Sequence, residues 1–247
     1  MAKTSGLGDA LFLTGNDLSG DITAIGNVGG GPATLDVTSI DKSAMERIGG
    51  VRDGRLECTS WFDPATSHPV LSALPTTDVQ AMYCRGTTLG NPAANLVAKQ
   101  VNYDGTRGND GSFTFAVSLQ GNAYGLEWGT LLTAGKRTDT AATNGTSVDL
   151  TTVSTSFGAQ AHLQLFAFTG TDVTIKIQDS ADNSTFADVT GLAFTAITGT
   201  TPQAQRIATG STATIRRYVR AITVTTGGFT SCTFAVSFTR NDVATSF

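Results

Sequence analysis

Two histidines, three cysteines and twenty carboxylates are the residues of this 247-residue chain able to do acid–base, nucleophilic or metal chemistry. Their spacing leaves little of that chemistry open. His68 sits between Ser67 and Pro69, and His162 falls inside an alternating apolar run. No serine lies in a Gly-x-Ser-x-Gly elbow, and no His-Glu-x-x-His run or Cys/His cluster offers zinc its ligands. In GTLLTAGKR (129–137) five residues separate the glycines where a phosphate loop has four. Arg137 also replaces the hydroxyl that would hold magnesium. Asp179, Asp182, Asn183 and Asp188 cluster in DSADNSTFAD, and such oxygens suit calcium, a hard cation. The run lacks the EF-hand glycine and terminal glutamate, and it reads equally as a polar turn whose Asp and Asn bond their own backbone. Glu57 and Glu127 are candidates for a carboxylate pair of the glycosidase kind, without a spacing that supports it. Arg216, Tyr218 and Arg220 share one strand face. Arginine beside tyrosine could take a sugar, a phosphate or a partner carboxylate, or form a salt-bridged structural ladder. The chain therefore reads as a non-enzyme with no cofactor and no metal.

Charge narrows the partners. The net charge of −4 comes from 16 Lys/Arg against 20 Asp/Glu, and the acidic excess lies in residues 1–150. Tight nucleic-acid binding needs clustered Lys and Arg to neutralise phosphates, so it is not expected; a surface past which DNA slides is compatible. Cys58, Cys84 and Cys232 have no paired spacing and read as small buried hydrophobes. Residues 1–15 do not read as a signal peptide, because Asp9 and glycines interrupt the apolar run. The odd cysteine count then suggests synthesis in a reducing cytoplasm. No apolar stretch reaches the length of a membrane-spanning helix.

The elements that must position these residues are mostly short strands. Hydrophobic residues make up 40% and charged residues only 15%, with 28 glycines. That mix of Thr, Ser and Gly suits pleated strands and tight turns. Residues 1–20 read as an arm with an apolar patch at Ala10, Leu11, Phe12 and Leu13 that can dock. Residues 22–32 (IGNVGGGP at their end) read as a flexible loop, followed by a strand-like TLDVTSI. Residues 43–46 match a capping box, which predicts a short polar helix ended by Gly49-Gly50. After Asp53-Gly54, Leu56, Cys58, Ser60 and Phe62 should share one side of a strand. A brief helical turn is expected over residues 69–74, with Pro69 at its start. Strands follow at 79–85, 96–103, 112–120 and 124–132. The clearest alternation puts Phe113, Phe115, Val117 and Leu119 on one buried face. Residues 138–145 are polar and aperiodic, a candidate linker. Further strands are expected at 161–168, 173–178, 192–197, 215–224 and 230–240, the last burying Cys232, Phe234, Val236 and Phe238. This pattern points to a mainly β chain built of sandwich or jelly-roll units.

Three runs carry a family resemblance. IGGVRDGRLECTSWFDPATSHPVLSALP and LVAKQVNYDGTRGNDGSFTFAVSLQGNAYGLEWGTLLTAG resemble the major tail proteins of long-tailed, siphovirus-like bacteriophages. VTIKIQDSADNSTFADVTG and IRRYVRA are similar to the extra C-terminal domain that many of them carry. The resemblance implies a tail-tube-type β-sandwich or barrel with a small helix over residues 1–137, and a jelly-roll or Ig-like sandwich over 138–247 outside the tube. It implies six copies closing a ring around a lumen, and rings stacking into a conduit for DNA, which passes without specific binding. Partners would be the protein itself, the tape measure and the tail terminator, with no membrane. The loop over about residues 36–54 would reach a neighbouring subunit or ring through Asp41, Lys42, Glu46, Arg47, Arg52 and Asp53. Arg216, Tyr218 and Arg220 would give the C-terminal domain a weak contact with glycan. The location implied is the virion tail, assembled in the host cytoplasm. Another virion role, such as capsid decoration or a tail-tip adhesin, and a carbohydrate-binding or carbohydrate-active protein are the alternatives.

Overall fold

A computed structural model describes residues 5–199 and 202–244. The chain is mainly β, with strands over 54% of its residues and helix over 2%. The strands are β1 (Ala10–Leu13), β2 (Asn16–Asp17), β3 (Ile22–Gly29), β4 (Pro32–Asp36), β5 (Arg47–Arg52), β6 (Arg55–Trp61), β7 (Val79–Cys84), β8 (Pro92–Arg107) and β9 (Phe113–Gly121). They continue as β10 (Glu127–Leu131), β11 (Arg137–Asp139), β12 (Val148–Asp149), β13 (Ala159–Gly170), β14 (Thr174–Ser180), β15 (Ala187–Ala193), β16 (Gln203–Ala208), β17 (Tyr218–Val224) and β18 (Phe229–Arg240). Among the described residues one five-residue helix, α1 (Ser67–Leu71), interrupts them. No described helix is long and apolar enough to cross a membrane.

The chain divides into two compact units that alternate along the sequence. The first comprises the described residues of 1–20, 80–95 and 127–247. Its larger sheet runs β16-β13-β18-β10-β8-β7-β1-β2, with β11 also on β18, and its smaller sheet runs β12-β17-β14-β15. A core containing Leu163, Leu165, Ile175, Ile177, Val219, Phe234, Val236 and Phe238 draws on both sheets, which makes this unit a β-sandwich. The alternation expected in β18 holds: Cys232, Phe234, Val236 and Phe238 are all buried. A second cluster, with Phe12, Met82, Cys84, Leu131 and Ala235, packs with Phe166, so alternate residues of β18 serve two cores. The apolar patch of the N-terminal arm is β1, docked antiparallel on β7 and fully buried.

The second unit comprises residues 21–79 and 96–126. Its sheet runs β3-β6-β9 and then the C-terminal part of β8. Leu56, Cys58 and Ser60 of β6 and Phe115, Val117 and Leu119 of β9 point inward as their alternation predicts, but Phe62 and Phe113, expected with them, are exposed because they lie at or beyond the strand ends. Helix α1 is held by Ser67, whose Oγ donates to the Trp61 carbonyl at 3.0 Å, and by Gln100, whose side-chain amide donates to the Leu71 carbonyl at 2.7 Å. His68 lies in this helix, with Nδ1 3.1 Å from the Tyr103 hydroxyl.

Several expectations change. Residues 22–29 form strand β3 on β6, because six of the eight find a register partner there despite the glycines. No helix forms at 43–46, and Gly49-Gly50 lies inside β5. A four-residue run buries too little to hold a helix, and an isolated helical turn does not offset its nucleation cost. Residues 138–145 are not a free linker. They begin within β11, and Thr143 and Gly145 donate backbone hydrogen bonds to Thr223 and Ala221 at 3.2 and 3.0 Å. Residues 138–145 belong to the first unit.

Candidate functional site

The residues expected to make contacts between subunits, 41–53, all belong to one feature of the second unit. Among the described residues strands β4 and β5 pair only with each other, Pro32 opposite Arg52 and Asp36 opposite Arg47. The turn is organised by Thr38. Its Oγ1 donates to the Asp36 carboxylate at 2.6 Å and accepts the Glu46 amide at 2.8 Å, while the Val37 amide donates to the Glu46 carbonyl at 3.0 Å. The hydrogen bond from the Thr38 hydroxyl, with that of its amide, holds the Asp36 carboxyl below the usual carboxylate range. Asp41 and Lys42 lie in the loop, and Lys42 pairs with Glu46 at 3.4 Å. Arg47 and Arg52 end β5, and Asp53 sits at the root, 3.5 Å from Arg55. All six are exposed. At the root Gly30 takes φ of +151°, and a Cβ there would run into the Asp53 carbonyl, so the hairpin leaves the sheet through a position only glycine fills.

The charged residues are not the distinctive part of this arm. Leu35, Val37, Ile40, Met45, Ile48 and Val51 are all exposed large hydrophobics, and Ile40 is fully so. The sequence reading named the charges and missed this apolar set. Leu35, Val37 and Ile40 fall in the run TLDVTSI, whose strand-like pattern does not by itself say whether they are covered.

The second predicted cluster lies in the first unit. Tyr218 and Arg220 share the outward face of β17, but each arginine nearby is engaged within the fold. Arg216 donates from Nε to Asp179 Oδ1 at 2.8 Å, and its backbone amide donates to Oδ2 at 2.8 Å. Arg217 pairs with Asp149 and lies 5.1 Å from the Tyr218 ring. Arg220 donates twice to Gln178 Oε1, at 3.0 and 2.7 Å, and lies 4.0 Å from the Phe186 ring centroid. The geometry is that of a cross-strand ladder, continued by Gln178 and Lys176 onto Asp188 at 2.8 and 3.0 Å. The carboxylates of DSADNSTFAD are used individually. Asp182 accepts from Ser180 and from the Ser184 and Thr185 amides, and those two amides foremost hold its carboxyl far below the usual range. Among the described residues no group of three or more His, Cys, Asp or Glu side chains converges as a metal site.

A polar cluster that the sequence did not announce sits in the larger sheet of the first unit. Glu127 Oε2 is 2.7 Å from His162 Nε2 and 2.9 Å from Arg206 Nε, and Oε1 is 2.5 Å from Arg206 Nη2. His162 and Arg206 are register partners on β13 and β16. Burial works to raise the Glu127 pKa. The hydrogen bonds and charges of His162 and Arg206 outweigh it and bring the value to about 2. A general acid for glycoside hydrolysis needs the opposite shift, so this carboxylate is built to stay charged. All three cysteines are buried and free, and burial pushes their thiols up to about 12.

No protein-family model matches the chain, and no curated protein does. Solved structures similar to it include a chain of the native gene transfer agent virion (13% identity, TM-score 0.43) and one from the tail of the empty gene transfer agent particle, refined with C6 symmetry (17%, 0.42). Each likeness covers 51% of this chain and 98% of that one. The Dit protein of phage SPP1, described as a hub of the adsorption apparatus of phages infecting Gram-positive bacteria, is similar at 11% identity and TM-score 0.36, over 94% of this chain and 98% of that one.

Proposed function

We propose that this chain is a structural protein of a phage tail which assembles with copies of itself, as hexameric rings stacked into the tube that conducts DNA. The observation that carries the reading is the β4–β5 arm. A two-stranded hairpin is marginal in water by itself. Among the described residues this one pairs with no further strand, and it exposes six large apolar side chains. Contiguous apolar surface of that kind marks a site that another protein covers. The occupant is a second copy of this chain, because the arm carries both signs of charge (Asp41, Glu46 and Asp53 beside Lys42, Arg47 and Arg52), which suits a self-complementary contact. Strand β3 supports the same reading: among the described residues it pairs only with β6, so its other edge is open to a neighbour. Closure of such edges into a ring removes an aggregation hazard, and repeated heterologous contacts build rings or filaments. The sequence resemblance to major tail proteins supplies the tube. Tape measure and terminator proteins would then meet its two ends, and the mildly acidic chain would let DNA slide.

Negative-stain electron microscopy of the purified protein, with mass measurement, tests this. Rings or hollow tubes are expected from the full chain, and folded monomers from a variant lacking residues 39–51. Tubes formed by the deletion variant, or a stable trimer formed by the full chain, would overturn the reading.

A further inference from the structure

On the first unit a groove of about 360 Å³ opens between the β10–β18 pair and residues 150–152. Trp128 forms one wall and is 47% exposed. It sits on β10 next to Glu127, whose side chain is committed to His162 and Arg206, so strand alternation turns the indole to the other face. Gly129, the next residue of β10, has no room for a side chain, since a Cβ there would collide with the Phe238 carbonyl and Thr239 Oγ1. Phe238, Leu150 and Pro92 supply apolar lining.

The polar groups converge opposite. Thr239 Oγ1 donates to the Trp128 carbonyl at 3.2 Å. Arg240 hydrogen-bonds Thr152, through its carbonyl at 3.5 Å and through its hydroxyl. Arg137, Arg206, Arg216 and Arg217 each hold a carboxylate in an ion pair. Arg240 has none within ion-pair distance among the described residues, although burial pushes its pKa down. Asp242 lines the groove beside it. The result is a half-exposed indole, an arginine with no ion-paired carboxylate and a carboxylate around a shallow cleft.

We propose that this groove binds a pyranose unit of a polysaccharide, stacked on Trp128 and hydrogen-bonded by Arg240 and Asp242. A pyranose has a face of C–H groups that packs on an indole, and a rim of vicinal hydroxyls that pairs with planar carboxylate and guanidinium groups. The cleft lies at the small end of the range for ligand sites, about 300–1,000 Å³, and suits one or two rings. Affinity for one site is on the order of millimolar, and many copies on one particle would raise it by avidity. The inference stands apart from the tail reading, since it requires only the folded chain.

The test uses the full chain carrying Trp61→Phe, which leaves Trp128 as the sole tryptophan. Methyl pyranosides (glucoside, galactoside, rhamnoside and N-acetylglucosaminide) are titrated against its fluorescence, and the unmodified chain is applied to a glycan array. A saturable change with at least one pyranoside is expected, with matching array signals. Trp128→Ala should abolish the array signal, and Arg240→Ala and Asp242→Ala should each weaken binding at least tenfold with circular dichroism unchanged. Arg216→Ala should bind as the parent does. Flat titrations with a blank array overturn the proposal. So does array binding that survives Trp128→Ala, or that is lost in Arg216→Ala instead.

Discussion

Replacing Glu127 with glutamine tests a nearly buried ion-pair cluster of the first unit. The carboxylate takes three hydrogen bonds from His162 and Arg206, all between 2.5 and 2.9 Å, in a nearly buried setting. Its pKa falls from 4.5 to about 2. At 1.36 kcal/mol per tenfold change in proton affinity, that depression corresponds to about 3 kcal/mol of stability. Glutamine keeps the shape but loses the charge, and it turns an N–H₂ toward a donor. Arg206 and His162 then face a neutral amide where they held a carboxylate, and removing one member of a nearly buried ion pair is costly. A loss of about 3 kcal/mol is expected, or roughly 6–12 °C in melting temperature for a chain of this length. The sign with pH follows from the depressed value. The contribution is complete above about 4.5, and it is lost as pH falls toward about 2, where the folded protein takes up the proton. Urea unfolding of parent and variant at neutral pH, and again at several acid pH values, reads both effects. The midpoint should drop with an unchanged slope, and the gap between the two proteins should shrink in acid. A difference below about 0.5 kcal/mol at neutral pH, or a gap that stays constant into acid, would refute the reasoning.

Other outcomes follow from the same geometry. Ile40→Asp combined with Ile48→Asp should leave the melting temperature nearly unchanged, since both side chains are exposed, and should abolish assembly in sedimentation velocity. Phe234→Ala should cost about 3–5 kcal/mol in urea unfolding, because Phe234 is fully buried and also stacks under Arg137 at 5.0 Å. Native protein near pH 8 should resist thiol-specific labelling at Cys58, Cys84 and Cys232 and react at all three once unfolded; stoichiometric native labelling would contradict their burial. Gly15→Ala should destabilise by more than about 1 kcal/mol in the same unfolding assay. Gly15 holds φ of +76°, and an added Cβ would meet the Leu165 and Gln203 backbones.

Strand type was legible wherever one face was buried. In β6, β9 and β18 the period of two is written in the residues, because each core-facing position must be apolar whatever the partner strand is. The mainly β class and the buried state of the cysteines follow from the same local rule. What lacked a local signature was decided by pairing. Strand β16 (QAQRIA) has no clean alternation, and it exists because β13 offers it a six-residue register. Strand β3 takes glycines into a ladder because β6 is there to receive it. The helix suggested at 43–46 lost to a hairpin, since Arg47–Arg52 gains ladder bonds to Pro32–Asp36 that an isolated polar turn cannot match. The interleaving of the two units also belongs to the tertiary structure. Residues 80–95 join strands far later in the chain, and no composition shift marks that exchange.

For the candidate sites the division is similar. The sequence placed the arm over residues 36–54 and named its charges, but only the structure distinguishes six apolar side chains left in solvent from six in a core. Arg216 and Arg220 look free in a linear reading, and the strands beside them supply Asp179 and Gln178. Glu127, His162 and Arg206 are separated by 35 to 79 residues, and Trp128 and Arg240 by more than that again. Composition and periodicity constrain what each residue can do; long-range pairing of strands decides which residues do it together.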